Sequence, residues 1–273
     1  MDKTGAIGSL PPVSAMMRAA GMEPKKSLGQ NFLFDLNIAR KIARAAPGMD
    51  GAVIEVGPGP GGLTRALLEC GAKKVIAIEK DRAAAPILDE IAKAAGGRLE
   101  VVYGDALKID LGHFGKISVC ANLPYNIGTE LFTKWLRLRN ISSMTLMFQR
   151  EVAERIAARP GEKEYGRLSV LTALAARAKI LFSVPNTAFF PPPKVRSAVV
   201  GIVPTKAPKN LARIEAVTAA LFGRRRKMIR SIMPGVDWGA FGLAGTERAE
   251  QLPPEVFLRL ADSDLKRAAS SPL

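Results

Sequence analysis

The stretch Glu55-Val56-Gly57-Pro58-Gly59-Pro60-Gly61-Gly62-Leu63-Thr64 closes a short apolar run and opens a helical one. Glycines in that position let backbone N–H groups approach a ligand where side chains would block it. As spelled, Gly57, Gly59 and Gly62 satisfy the dinucleotide pattern GxGxxG. Glu79 falls about 20 residues on, where a ribose-binding acid belongs. So dense a cluster directly after a strand argues against a plain turn. It does not name the ligand, and a nicotinamide enzyme stays open on this motif alone.

Working outward, β-rich runs at Val53–Val56, Val75–Glu79, Leu99–Tyr103, Ile117–Ala121 and Met144–Phe148 alternate with helical stretches at Leu63–Glu69, Ala83–Ala95 and Thr129–Leu138. Near-continuous apolar strands are those covered on both faces, as in a parallel sheet. The alternation predicts a doubly wound α/β sheet with its ligands at the carboxyl ends of the strands. Upstream, Asp35 can cap a helix running to about Ala46, ended by Pro47-Gly48. Downstream, Glu151–Ala158 and Arg167–Ala178 read as helices. Ile180–Val184 and Val195–Val203 follow as two strands, expected to form an antiparallel hairpin at the sheet edge. Pro204–Pro208 reads as a linker, and beyond it only helical segments occur, among them Leu211–Phe222 and Glu255–Leu260.

At 273 residues and 29.2 kDa the chain has room for one large domain and a small appendage. Hydrophobic residues make up 48% of it, which excludes disorder as its main state. Cys70, Cys120 and His113 are all the Cys and His present, too few for a zinc ribbon, a zinc-water hydrolase or a disulfide scaffold. No apolar run approaches the ~18 residues of a membrane-spanning helix. Met1–Gly21, with Asp2 and a Pro11-Pro12 break, lacks the marks of a signal or transit peptide. A cytoplasmic protein with no metal and no membrane partner is expected.

Lys and Arg number 40 against 25 Asp and Glu, a formal net charge of +15. Residues 1–50 carry +3 of it, 51–140 +2, 141–205 +5 and 206–273 +5. The centre is therefore nearly neutral and the flanks are basic, the pattern of a polyanion held outside a chemical centre. A nucleic acid is the expected partner.

The ends of the later strands carry the chemistry. Gly104-Asp105-Ala106 puts a carboxylate after the third strand, able to accept from the exocyclic amine of a bound adenine. Asn122-Leu123-Pro124-Tyr125 follows the fourth. As a bare turn it would be unremarked, since Asn and Pro are turn formers. It also suits methylation of an adenine amine, whose lone pair is delocalised into the ring. The Asn122 side-chain oxygen and the Leu123 carbonyl can accept the two N–H bonds and favour a pyramidal, nucleophilic nitrogen. Pro124 holds the turn, and Tyr125 can stack on a flipped base. Transfer from a sulfonium then needs in-line placement rather than a strong base, which fits a site without His or Cys.

In this order the motifs resemble the ribosomal RNA adenine N6,N6-dimethyltransferase family, and within it the bacterial small-subunit 16S rRNA branch (KsgA type). The anchors are Ser27-Leu28-Gly29-Gln30-Asn31-Phe32-Leu33, the glycine loop, Glu79, Gly104-Asp105-Ala106 and Asn122-Leu123-Pro124-Tyr125-Asn126. Phe189 with Pro191-Pro192-Pro193-Lys194-Val195 and Ser197 follows, then Phe222 with Arg225-Arg226-Lys227 and Arg230. The match runs from about Lys26 to the C-terminal region. Small departures are Gly128 where the family often has Ser, Phe190 after Phe189, and Met228 after the basic run.

The resemblance implies a class I (Rossmann-like) S-adenosylmethionine-dependent methyltransferase sheet over residues 25–204 and a small all-helical C-terminal domain over 205–273. Residues 1–24 lie before the match and are expected to form a flexible leader. Asn31 and Leu33 would close over the methyl donor, Gly57 would meet its methionine moiety, Glu79 its ribose and Asp105 its adenine. Asn122 would sit at the reacting methyl, and Phe189 would face Tyr125 across the target base. Arg224, Arg225, Arg226 and Lys227, with Arg230 at helical spacing, would contact phosphate. The implied partner is 16S rRNA in the small ribosomal subunit, engaged by a monomer. Two rivals share parts of the pattern: 23S rRNA adenine methyltransferases of the macrolide-resistance type, and non-catalytic nucleic-acid-binding proteins such as assembly checkpoints or mitochondrial transcription factors. The long C-terminal region favours the small-subunit branch, and the intact Asn122–Tyr125 turn favours catalysis.

Overall fold

The apolar runs become a seven-stranded sheet: β1 (Ala52–Val56), β2 (Lys74–Glu79), β3 (Leu99–Tyr103), β4 (Ile117–Asn122), β5 (Ile141–Gln149), β6 (Ala176–Val184) and β7 (Ser197–Pro204). The computed structural model describes residues 5–263. Strand order is β3-β2-β1-β4-β5-β7-β6. β1 pairs in parallel with both β2 and β4, and the parallel ladder continues through β2 to β3 and β4 to β5. Chain order therefore reverses at β1 and β4, and the crevice at the carboxyl ends of those strands is where such a sheet takes its ligand. β7 runs antiparallel to β5, with β6 outside it at the sheet edge. β6 begins at Ala176, directly after the helix Arg167–Ala175, rather than at Ile180. Val195 stays outside β7 and is 46% exposed.

Burial explains the composition of the strands. Val53, Ile54, Val75, Ala77, Val119, Cys120 and Ala121 are each at most 1% exposed, because helices cover both faces of the sheet. The helix Leu36–Ala45 starts where expected, with the Asp35 carboxylate accepting from the N–H groups of Asn37 and Ile38. A second, two-stranded ribbon joins distant sequence: Phe32–Leu33 pairs antiparallel with Phe189–Phe190, Phe32 opposite Phe190 and Leu33 opposite Phe189.

Two compact units result. One is the chain to Ala153 with Lys179–Pro204; the other is Glu154–Ala178 with the chain from Thr205 onward. The sequence expectation put a single boundary after residue 204, whereas Glu154–Ala178 segregates with the helical unit. The reason is aromatic packing: the Phe222 ring lies 5.9 Å from Tyr165 and 5.6 Å from Phe257. The buried Tyr165 hydroxyl donates to the Leu252 carbonyl at 2.9 Å. Helices Arg167–Ala175, Leu211–Gly223 and Pro254–Asp262 surround this stack.

The leader departs from expectation in its described part. Residues 5–22 form helices Gly5–Gly8 and Val13–Ala19, and Ile7, Met16, Met17 and Met22 join the main core. Their anchor is the buried Arg65 guanidinium, which donates to the carbonyls of Pro11 (2.6 Å), Leu10 (3.1 Å) and Ile7 (3.4 Å). A polar residue inside the glycine-loop helix thus ties down a segment that its composition alone left unplaced. Arg65→Met is expected to cost about 1.5–3 kcal/mol, the worth of charge-assisted hydrogen bonds. Thermal denaturation should show that loss, and trypsin should cut faster after Arg18; unchanged proteolysis would show that the leader holds without Arg65.

Candidate active site

The carboxyl ends of β1, β2, β3 and β4 open into a cleft of about 870 Å³. The glycine loop forms its floor by close approach. Gly59 has φ +53°, and a Cβ there would stand 2.7 Å from the Phe32 ring. At Gly62 a Cβ would stand 2.5 Å from the Leu33 carbonyl oxygen. The ribbon therefore lies directly on the loop, and larger residues would push it off.

Each expected acid sits at its strand end. The Glu79 carboxylate is nearly buried and accepts from the N–H groups of Gly59 (3.0 Å) and Asp81 (2.7 Å). Burial raises its pKa against the pull of those bonds. Asp105 accepts from Lys80 Nζ at 2.9 Å and from the Leu107 N–H at 3.0 Å. The Lys80 ammonium, then the Leu107 bond, hold its carboxyl below the usual range. Beneath the loop, Glu55 accepts from the Thr64 hydroxyl at 2.6 Å, and complete burial pushes its pKa up to about 8.

Across the cleft stands the turn after β4. The Pro124 carbonyl closes it by accepting from the N–H groups of Ile127 (3.2 Å) and Gly128 (2.9 Å), so the Leu123 carbonyl is not used for that purpose. The Asn122 amide nitrogen donates to the Asn31 carbonyl at 3.3 Å, which keeps its oxygen as an acceptor. Tyr125, half-buried, shares a 2.7 Å hydrogen bond with the buried Ser197 hydroxyl at the start of β7. Gly57 lies against Pro124, a Cβ there being 3.5 Å from the proline ring. Gly128 is close-packed too, a Cβ meeting that of Leu123 at 3.3 Å.

The cleft thus gathers Asn31, Gly57, Glu79, Asp105, Asn122, Leu123, Pro124 and Tyr125. It does not gather Leu33 or Phe189. Both are buried in the core at 5% and 4% exposure, paired with each other across the ribbon. Leu33 meets the site only through its carbonyl at Gly62, and the ring left outside is Phe190, 49% exposed. Residues missed from sequence form a latch on the loop that carries Asn31. Asp81 accepts from Lys25 Nζ at 2.8 Å and from the Gln30 amide at 3.3 Å, while the Gln30 oxygen accepts from the Lys25 N–H at 2.7 Å. Burial pushes Asp81 up, but Lys25, the Ala83 N–H and Gln30 outweigh it and hold the carboxyl low. Gln30 stood inside a quoted motif, yet only the fold shows what it touches.

The ribosomal RNA adenine dimethylase profile matches residues 21–263. The chain belongs to the ribosomal RNA adenine dimethylase family. It is 51% identical over 271 residues to the ribosomal RNA small subunit methyltransferase A of Chelativorans sp. (strain BNC1), covering 94% of this chain and 98% of that one. The namesake from Azorhizobium caulinodans is 52% identical over 274 residues, 94% of each chain. Among solved structures, a dimethyladenosine transferase from Plasmodium falciparum superposes with TM-score 0.71 at 28% identity, over 82% of this chain and 94% of that one. The 23S rRNA methyltransferase ErmE does so with TM-score 0.65 at 26% identity, over 85% and 98%. As a dimethylase the chain is an S-adenosylmethionine-dependent enzyme acting on rRNA adenine, and the nicotinamide reading of GxGxxG falls away. Among the described residues no cluster of His, Cys, Asp or Glu could hold a metal ion, and no helix is long and apolar enough to cross a membrane.

The basic cluster sits differently from its expected helical spacing. Arg224–Lys227 form the turn after the helix Leu211–Gly223, and Arg230 belongs to a separate short helix, Ile229–Ile232. Arg225 is tied inside its unit, donating to the Glu250 carboxylate and to the Lys163 carbonyl. Arg224, Arg226, Lys227 and Arg230 are exposed.

The buried Glu55 carboxyl makes stability depend on pH. Its folded pKa, about 8, exceeds the ordinary 4.5. The unfolded chain therefore ionises first, and the Glu55 contribution is complete below pH ~4.5 and lost as pH rises towards 8, at ~1.4 kcal/mol per unit. Glu55→Gln should flatten stability between those limits and raise the melting temperature at pH 8 relative to wild type. Parallel stability–pH curves for the two proteins would show Glu55 ionised in the fold.

Proposed function

We propose that this chain dimethylates the N6 amines of two adjacent adenosines near the 3′ end of 16S rRNA, four methyls in all, and so takes part in small-subunit biogenesis. It acts as a monomer in the cytoplasm, where its two free thiols, Cys70 and Cys120, persist. The observation that carries the reading is the Asn122–Tyr125 turn held against the glycine loop, with acids at the ends of β2 and β3. Support for the small subunit comes from relatives near 50% identity that carry that name.

The cleft fits the donor. Glu79 offers a carboxylate to a ribose diol, Asp105 accepts from an adenine amine, and Gly57 leaves room for the amino-acid end. Bound S-adenosylmethionine supplies an electrophilic sulfonium methyl. Asn31 covers the donor through its backbone, its loop latched by Asp81, while Leu33 seats the ribbon on Gly62. Asn122 Oδ1 and the Leu123 carbonyl accept hydrogen bonds from the amine N–H groups and aim the nitrogen lone pair, and the one proton released per methyl transferred leaves to water. Tyr125, fixed by Ser197, presents its ring to the unstacked base. Phe189 acts from the core by fixing the ribbon that carries Phe32 and Phe190.

Unmethylated small and large subunits incubated with labelled donor provide the test, the methylated positions being mapped in each rRNA. Label confined to two neighbouring adenosines of 16S rRNA is the expected result, and label in 23S rRNA would overturn the assignment. Tyr125→Ala should lower turnover by roughly 10-fold or more with donor affinity retained, since base stacking is worth about 1–3 kcal/mol. Asn122→Ala should nearly abolish turnover. Wild-type rates in either variant would reduce the motif to a turn.

RNA docking is expected on the exposed cations of the helical unit. Replacing Arg224, Arg226 and Arg230 by Glu, with Arg225 spared for its internal bonds, should weaken subunit binding. It should also reduce the slope of log affinity against log salt by ~0.7–0.9 per lost contact. Donor affinity measured by calorimetry should stay at the wild-type value. An unchanged slope would place the rRNA on other cations.

A further inference from the structure

Base-modifying enzymes take their target out of the stack, and that leaves the neighbouring base without a stacking partner. A second cavity beside the cleft answers this need. It is an open groove between the leader, through Met17, Arg18, Met22 and Glu23, and the aromatic pair Phe34 and Phe190. The Phe190 ring stacks on Phe34 at 5.4 Å and 21° between planes, yet 49% of the residue faces solvent. A ring so exposed, backed by the partly buried Phe34, contributes little to packing and offers a good surface for a base, since every base has a π-face.

Two connections join this groove to the cleft. Gln30 lines both. Phe190 pairs across the ribbon with Phe32, whose ring lies against the glycine loop at Gly59. We propose that the groove holds the nucleotide adjacent to the target adenosine, its base stacked on Phe190 and its phosphate at Arg18. The proposal rests on the adenine-methylation reading above and extends it to a second nucleotide site. Glu23 lines the same groove, so a phosphate belongs at the Arg18 side, and a base with exocyclic amine donors suits the carboxylate side. The net charge of +15 draws a polyanion to the protein, and Arg18 is the cation that lines this groove. For an enzyme whose two targets are neighbours, the second adenosine waits here while the first reacts.

The test uses the full-length protein and unmethylated small subunits. Phe190→Ala should raise KM for the subunit roughly 5- to 150-fold, the value of one base stack, with kcat, donor affinity and melting temperature unchanged. Phe190→Tyr should restore KM. Arg18→Glu should raise KM in the same direction. A photoreactive p-azidophenylalanine at position 190 should crosslink to the nucleotide next to the methylated adenosine. A wild-type KM in Phe190→Ala, or a crosslink mapped to a distant nucleotide, overturns the proposal while adenine methylation stands. A fall in melting temperature and donor affinity together, shared by Phe190→Tyr, makes Phe190 a packing residue and overturns it as well. Absence of any methyl transfer by the wild-type protein defeats the adenine reading and this one with it.

Discussion

The contact between the ribbon and the glycine loop governs the site. A Cβ at Gly62 would stand 2.5 Å from the Leu33 carbonyl, and one at Gly59 would enter the Phe32 ring. Because neither exists, the segment carrying Asn31 rests on the loop, and the Asn31 carbonyl comes within reach of the Asn122 amide. The same loop donates its Gly59 N–H to Glu79. One close approach thus connects the donor loop, the second strand end and the reactive turn, elements 20 to 90 residues apart in sequence. It also fixes where Phe190 emerges, since that residue is the partner of Phe32 in the ribbon.

Three carboxyl groups within this region show how environment separates their roles. Glu55, sealed beneath the loop and bonded to Thr64, has its carboxyl pushed up by burial more than those bonds pull it down. Glu79 is nearly as buried but receives two backbone N–H groups, which offset part of the cost of its charge. Asp105 faces solvent and a lysine, and is an anion throughout. A ligand with hydroxyls and an amine to donate finds acceptors at the latter two and none at the first.

Much of this was legible from residue order. Apolar runs marked the parallel strands, the central ones because strands covered on both faces admit few polar residues. Asp35 marked a helix start, and glycine spacing marked the loop. What stayed hidden depended on contacts between distant segments. The Arg65 anchor of the leader, the Lys25–Gln30–Asp81 latch and the Tyr125–Ser197 bond each join residues with no periodic relation. Phe189 and Phe190 could not be told apart by sequence, since a two-residue strand sends neighbours to opposite faces and nothing local says which face is the core. Arg225 misled for a related reason. A run of four cations reads as one patch, yet the turn after Gly223 points one of them inward to Glu250 and Lys163.

The two substrates of a sulfonium-dependent RNA methylase carry opposite charge, and the chain separates them. Its central span, residues 51–140, carries only +2 and supplies Glu79 and Asp105 to the cleft, while 141–273 carries +10. A cationic donor is favoured near the acids, and the loss of its charge on methyl transfer weakens that attraction, which assists exchange between successive methylations. A polyanion is favoured on the flanks, where its attraction does not change as methyls are added.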